Sequence, residues 1–198
     1  MSDSKSLIAP ESRRVAFLDR DGVINRDSGY VGHIENFEFL PGAVDAMRRL
    51  QDLGFTLAVV TNQSGIARGY FTEAAYDVLT NHMIDELEAR GVRLAGVAHC
   101  PHLPTAAVAA YRLTCGCRKP APGLILRLAE RLRADLATSS LIGDKASDIA
   151  AGRAAGVGRC YSVGRLTALS GDARADAEFG DLLQCVSTLA SDRGLVLL

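Results

Sequence analysis

The stretch VAFLDRDGVIN, residues 15–25, decides the reading of this chain. Four apolar residues, Val15 to Leu18, run without interruption into Asp19, Arg20, Asp21 and Gly22. A short apolar run that ends abruptly in charge and glycine has the pattern of a strand buried on both faces, as in a parallel sheet. Two carboxylates two residues apart at such a strand's carboxyl end both face the crevice if the alternation breaks at the turn. A lone D-x-D is weak support for catalysis, because solvated turns and caps use the same residues. Its weight therefore depends on what the rest of the chain brings to the same place.

Further out, apolar runs at Thr56–Val60, Leu94–Ala98, Ser140–Ile142 and Cys160–Val163 repeat the buried-strand pattern. Helical periodicity lies between them. Pro41 opens a segment from Gly42 to Leu53 with Val44, Met47, Leu50 and Leu53 on one stripe. Thr72 is placed as the N-cap of a second helix, carrying Tyr76, Leu79, Met83 and Leu87 and ending near Gly91. Leu124, Ile125, Leu128 and Leu132 mark a third, and residues 182–189 a last one after a Gly/Ala/Asp-rich loop at 166–176. Alternation of this kind predicts an α/β fold with a mostly parallel, doubly wound, Rossmann-like sheet. Ligands in such sheets bind outside the carboxyl ends of the strands. Residues 1–12 are expected to be mobile and residues 13–198 to form a single domain.

The strand ends carry a consistent set of groups. Thr61, Asn62, Gln63 and Ser64 follow the second strand, Arg118 and Lys119 precede Pro120 and a helix, and Asp144, Lys145 and Asp148 follow LIG. A carboxylate can accept a phosphoryl group, dividing ester hydrolysis into two displacements, but it repels an anionic substrate. Magnesium removes that obstacle while keeping oxygen ligands and several waters. Asp19, Asp144 and the backbone carbonyl of Asp21 are candidate ligands, with the Lys145 region beside them. Thr61 and Lys119 are candidate donors to the phosphoryl oxygens, and Asp21 is the candidate acid and base.

Taken in order, these blocks resemble the haloacid-dehalogenase phosphatases, whose pattern is D-x-D, a Ser or Thr, a Lys and a final acidic pair. The resemblance spans Asp19 to Asp148. It implies Asp19 as nucleophile, Asp21 as acid/base, Thr61 and Lys119 as phosphoryl binders, Asp144 as magnesium ligand and Asp148 as a support behind the site. Within that superfamily, FLDRDGVINRDSGYV, VTNQSGIARGYF, CPH…CGCRKPAPG and IGDKASDI are most similar to the D-glycero-D-manno-heptose-1,7-bisphosphate 7-phosphatase family, a nearly capless form of the fold. The resemblance implies a phosphorylated sugar as substrate, with Asp27, Ser28, Gly29, Tyr30, Asn62, Gln63, Ser64 and Arg118 touching it. Ser28 departs from the family, which often has histidine there.

Cys100, His102, Cys115 and Cys117 supply three thiolates and an imidazole, a complete tetrahedral set for structural zinc in a loop spanning 100–117. The resemblance includes a zinc loop of this kind. Cys117 immediately precedes Arg118 and Lys119, so a cross-linked loop would fix both cations. His99 is a competing ligand by proximity, whereas His33 and His82 fit packing or surface roles. Histidinol-phosphate phosphatases share the D-x-D, T-N-Q and zinc loop, but usually with fewer than the twelve residues that separate His102 from Cys115 here. A catalytically silent binding protein is the reading of another class, and the complete set of reactive groups argues against it.

A net charge of −1 gives no basic field for nucleic acid or anionic membrane, so phosphate binding has to be local. No apolar run approaches the roughly 20 residues of a membrane span. A cytoplasmic monomer is the expectation, since nothing resembles a signal peptide and three clustered thiols suit a reducing compartment.

Overall fold

The computed structural model describes residues 12–164 and 174–191. The expected mobile N-terminus and most of the expected 166–176 loop lie outside these residues. Six strands form one sheet: β1 (Val15–Leu18), β2 (Thr56–Asn62), β3 (Leu94–Cys100), β4 (Ser140–Gly143), β5 (Arg159–Val163) and β6 (Ala177–Phe179). Their order is β3-β2-β1-β4-β5-β6, and every pairing is parallel. Six helices accompany them: α1 (Ala43–Asp52), α2 (Ser64–Arg68), α3 (Glu73–Ala89), α4 (Gly123–Leu132), α5 (Ala146–Ala155) and α6 (Leu182–Ser191).

The uninterrupted apolar pattern of β1 follows from its position. Alternate residues pack into two separate cores, one on each face of the sheet. Ala16 and Leu18 join Leu57, Val59, Met47, Leu50 and Met83 on one face. Val15 and Phe17 join Ala58, Val60, Leu124, Leu128 and Ile149 on the other. Sheet order then places the site. The chain winds outward from β1 through β2 to β3 and returns to β4 on β1's other side, so β1 and β4 flank the point of reversal where such sheets bind ligands. The Asp19 N–H donates to the Ile142 carbonyl at 3.0 Å, keeping the ends of β1 and β4 level.

Several expectations are revised. β2 and β3 each run two residues further than their apolar runs, because Thr61 and Asn62 continue the ladder opposite His99 and Cys100. The five-residue α2, the three-residue β6 and α5 had no sequence signal strong enough to predict them. In α5 the sequence ASDIAAGRAA lacks a contrasting apolar stripe, because close packing selects small residues. A Cβ on Gly152 would lie 2.6 Å from the Cys160 sulfur. The Thr72 cap is as expected, its hydroxyl accepting from the Ala75 N–H at 3.1 Å.

Phe17 is fully buried two residues before Asp19, so Phe17→Ala should lower unfolding free energy by about 3–5 kcal/mol, the usual cost of emptying an aromatic core site. Urea denaturation of the metal-loaded protein checks this.

Candidate active site

Beyond the ends of β1, β2 and β4 the chain assembles a buried charge cluster. Asp19, Thr61, Lys119 and Asp148 are all at most 5% exposed. The Lys119 ammonium lies 3.0 Å from Asp19 Oδ1 and 2.5 Å from Asp148 Oδ1, and donates to the Val60 carbonyl at 2.9 Å. Burial alone would discharge such a lysine, but the carboxylates of Asp148 and Asp19 more than offset it and raise its pKa. Asp148 also accepts the Lys145 N–H at 2.9 Å, tying the first turn of α5 to Lys119. The expectation that Asp148 acts from behind the site therefore has a physical basis.

Carboxylate oxygens of Asp19, Asp144 and Asp148 approach within 4.8 Å of one another. Burial pushes Asp144 up to about 7 against the pull of Lys145, with Asp19 and Asp148 adding repulsion. Its Oδ1 is buried without a hydrogen-bond partner among the described residues. A buried, unpartnered carboxylate oxygen beside further carboxylates fits a hard divalent cation such as magnesium. Gly22 keeps this corner open: at φ +85°, a Cβ there would meet Asp144 Oδ2 at 2.3 Å. The Lys145 side chain is no ligand, being itself a cation. It pairs with Asp27 at 3.2 Å and Asp144 at 3.4 Å.

Above the cluster opens a cleft of about 470 Å³. Asp21, Asp27, Gly29, Tyr30, Asn62, Gln63, Ser64, Arg118 and Lys119 line it, as the sequence reading expected of them. Ser28 does not, although its neighbours do. Asp27 Oδ1 accepts the Gly29 N–H at 3.0 Å, and this turn presents residues on either side of Ser28. Tyr30, at φ 57°, is held edge-on to Tyr70 at 4.8 Å, with Arg68 over its ring. Asn62 also has a second task besides lining the cleft. Its amide accepts from the Lys119 N–H at 3.0 Å and donates to the Lys119 carbonyl at 3.1 Å, clamping that residue's backbone. Gln63 bridges Asp21 Oδ2 and Thr61 Oγ1 at 2.9 and 3.0 Å.

Three residues were missed. Gly65 and Ser147 line the cleft, and Ser147 had a usable signal in its place just after GDK at a strand end. Arg20, wedged between Asp19 and Asp21, is fully buried. A charged residue in a turn gives no hint of that.

The four zinc-loop residues converge as expected. Cys117 Sγ lies 3.1 Å from Cys100 Sγ and 3.2 Å from Cys115 Sγ, while Cys100 and Cys115 are 3.5 Å apart. His102 Nδ1 sits 3.4 Å from Cys117 Sγ and 3.6 Å from Cys100 Sγ. These separations are far beyond the roughly 2.05 Å of a disulfide and slightly tighter than the edges of a tetrahedron with Zn–S of about 2.3 Å. Three sulfurs and a ring nitrogen at that spacing fit zinc with no ligand position left over. His99 is occupied elsewhere, 3.3 Å from Glu73 and packed on Tyr76. Arg118 donates to the His102 carbonyl at 3.2 Å, linking the cleft to the loop.

The sheet order and the aspartate cluster at the end of β1 define a hydrolase of the haloacid-dehalogenase type. A family model described as HAD-hydrolase-like matches residues 116–164, which include Lys119 and Asp144. The chain is 54% identical over 142 residues to D-glycero-beta-D-manno-heptose-1,7-bisphosphate 7-phosphatase of Escherichia coli (strain K12), covering 72% of this chain and 74% of that one. It is 43% identical over 150 residues to the alpha-anomer enzyme of Photorhabdus laumondii, covering 76% and 82%. The crystal structure of D,D-heptose 1,7-bisphosphate phosphatase from B. bronchiseptica, complexed with magnesium and phosphate, superposes with a TM-score of 0.77 at 30% identity, covering 90% of this chain and 99% of that one. The chain belongs to the D-glycero-D-manno-heptose-1,7-bisphosphate 7-phosphatase family.

Two outcomes follow from the two metal sites. Purified protein should carry about one zinc per chain by elemental analysis, and stripping it with a chelator should lower the melting temperature. Magnesium must displace a proton from Asp144 below about pH 7, so its affinity measured by calorimetry should weaken about tenfold between pH 8 and pH 6. Stability of the metal-free fold runs the other way: an acid whose folded pKa lies above its ordinary 3.8 makes that fold less stable as pH rises towards about 7.

Proposed function

We propose that this chain hydrolyses the 7-phosphate of D-glycero-D-manno-heptose 1,7-bisphosphate, leaving heptose 1-phosphate, through a phosphoryl group carried on Asp19. The observation that carries the reading is the fixed carboxylate of Asp19, held at 2.7 Å by the Arg20 N–H and at 3.0 Å by Lys119, which itself lines the cleft. The names of the relatives support the substrate. Their 54% and 43% identities favour the beta anomer over the alpha.

A carboxylate oxygen of Asp19 attacks phosphorus, and the bond to the sugar's O7 breaks. The leaving oxygen takes its proton from Asp21. In the second step Asp21 removes a proton from water as its oxygen attacks phosphorus, the Asp19–phosphate bond breaks and inorganic phosphate departs. Asp19, Asp144 and the Asp21 backbone would hold magnesium, which supplies positive charge against the phosphoryl oxygens. Lys119 and the Thr61 hydroxyl bind those oxygens, and they are already in place before substrate arrives, so little reorganisation is needed. Lys119 stays oriented because Asn62 grips its backbone and Asp148 its ammonium. Arg118, with one contact to the zinc loop, turns its remaining donors to the distal phosphate, while Asp27 and Tyr30 contact the sugar.

The residues of one chain suffice to line the cleft, and the protein is proposed to act as a monomer. Three thiolates around zinc suit a reducing compartment and so the cytoplasm. No helix among the described residues is long and apolar enough to cross a membrane.

Asp19→Asn should keep the fold and lower kcat by about 10³-fold or more, since it removes the nucleophile itself. Arg118→Ala should reduce kcat/KM for the bisphosphate by about ten- to a hundredfold, the worth of a charge-assisted hydrogen bond, and affect a small phosphate ester less. Phosphorus NMR should show the 1-phosphate retained, with the beta anomer consumed faster. Release of the anomeric phosphate first, or faster turnover of histidinol phosphate, would overturn the substrate assignment.

A further inference from the structure

Arg20 heads the large, fully buried side chains of the described residues. Desolvating a guanidinium costs several kcal/mol unless its donors are well used. Here most of its contacts fall on one carboxylate, that of Asp21. Nε donates to Asp21 Oδ1 at 3.1 Å, and Nη2 lies 2.9 and 3.0 Å from Asp21 Oδ1 and Oδ2. Nη2 also donates to the Val31 carbonyl and reaches Gln63 Oε1 at 3.4 Å. Tyr76 supports the guanidinium from its ring face, 5.6 Å from Cζ. Nη1 has no partner among the described residues, so the arrangement is not one that stability alone would select.

The effect of this fork is on Asp21, which lines the cleft. Asn25 Nδ2 adds a third hold on Oδ1 at 3.0 Å, and Gln63 Nε2 holds Oδ2 at 2.9 Å. The same Gln63 nitrogen reaches Thr61 Oγ1 at 3.0 Å, joining the grip to a group that faces the phosphoryl oxygens. We propose that Arg20 is a positioning residue for both proton transfers, its buried fork fixing the aim of the Asp21 carboxyl at the leaving oxygen and then at water. This rests on the assignment of Asp21 as acid and base. Proton transfer needs the carboxyl within hydrogen-bond reach of the departing oxygen, and a misplacement of about 1 Å can cost about 10²-fold. Lysine cannot substitute, since it offers one point charge in place of a planar fork.

A series of alkyl and aryl phosphates graded in leaving-group acidity tests this, with kcat/KM measured at saturating magnesium for wild type, Arg20→Lys, Arg20→Met and Asp21→Asn. An aryl oxyanion departs without protonation, whereas an alkoxide does not. Both Arg20 variants should lose about 10²-fold on alkyl phosphates and under about tenfold on p-nitrophenyl phosphate, steepening the dependence on leaving group as Asp21→Asn does. Damage to packing alone would lower every substrate alike. Melting curves identify any variant that fails to fold, and if Arg20→Met does so, Arg20→Lys carries the comparison. Uniform losses or unchanged rates in the Arg20 variants, beside a selective loss in Asp21→Asn, would overturn the role of Arg20 and leave Asp21 as the acid. A uniform loss in Asp21→Asn would remove the acid assignment and the inference with it.

Discussion

The ammonium of Lys119 between Asp19 and Asp148 is the interaction on which the arrangement of the site depends. Three carboxylates from the ends of β1 and β4 crowd one buried spot, and each raises the energy of ionising the others. Lys119 enters from the side, through the loop ahead of α4, and pairs with two of them. Removing one partner from a buried ion pair typically costs about 3–5 kcal/mol, because the charge left behind is uncompensated. Burial pushes up both Asp148 and Asp144, and Asp144, which Lys119 does not reach, rises to about 7. The protein thus pairs two acids with the buried Lys119 and leaves the third with the exposed Lys145 at 3.4 Å and one unpartnered oxygen, a division that suits an enzyme able to bind magnesium and substrate phosphate at the same point.

Holding a lysine in that place requires a stiff loop, and the loop's stiffness comes from two independent sources. On one side, the thiolate cluster fixes Cys117, two residues ahead of Lys119, and a Cβ on Gly123 would collide with the Gly116 carbonyl at 2.3 Å, which shows how closely the start of α4 packs on the loop. On the other, the Asn62 side chain pairs with the Lys119 peptide N–H and C=O as a neighbouring strand would. The zinc set is therefore remote from the chemistry in its ligands but adjacent to it in sequence. Its influence passes through the backbone, over a distance of two residues.

Legibility in the sequence followed how local the determining physics was. β1 could be read directly, since burial on both faces demands an unbroken apolar run and VAFL is one. Asp19, Lys119 and the acidic pair Asp144 and Asp148 were readable as a group because each sits near a strand or helix boundary marked by glycine or proline. Asn62 was readable as a polar group near the site but not as a clamp, because an amide looks the same whether it meets a ligand or a peptide. Ser28 looks no different in sequence from its neighbours, yet Asp27 and Gly29 are the residues of this turn that line the cleft. α5 and β6 were lost for opposite reasons, one because close packing favours alanine and glycine, the other because three residues are too few to show a period.

Arg20 marks the limit of that reading most sharply. Between two aspartates it has the sequence appearance of a solvated turn, yet the chain buries it completely. The reason lies in residues distant in sequence: Val31 closes over it from the cleft loop, Gln63 meets it from the end of β2, and Tyr76 supplies an aromatic floor from α3. Tyr76 in turn packs on His99, which pairs with Glu73, and Glu73 accepts the Tyr111 hydroxyl of the zinc loop at 2.8 Å. The surroundings of the Asp21 carboxyl and of Lys119 thus both lead back to the 100–117 loop. The described residues form one sheet with its helices and no separate cap domain, so the alignment of these groups is built into the resting fold, and this shared anchorage is how the structure achieves it.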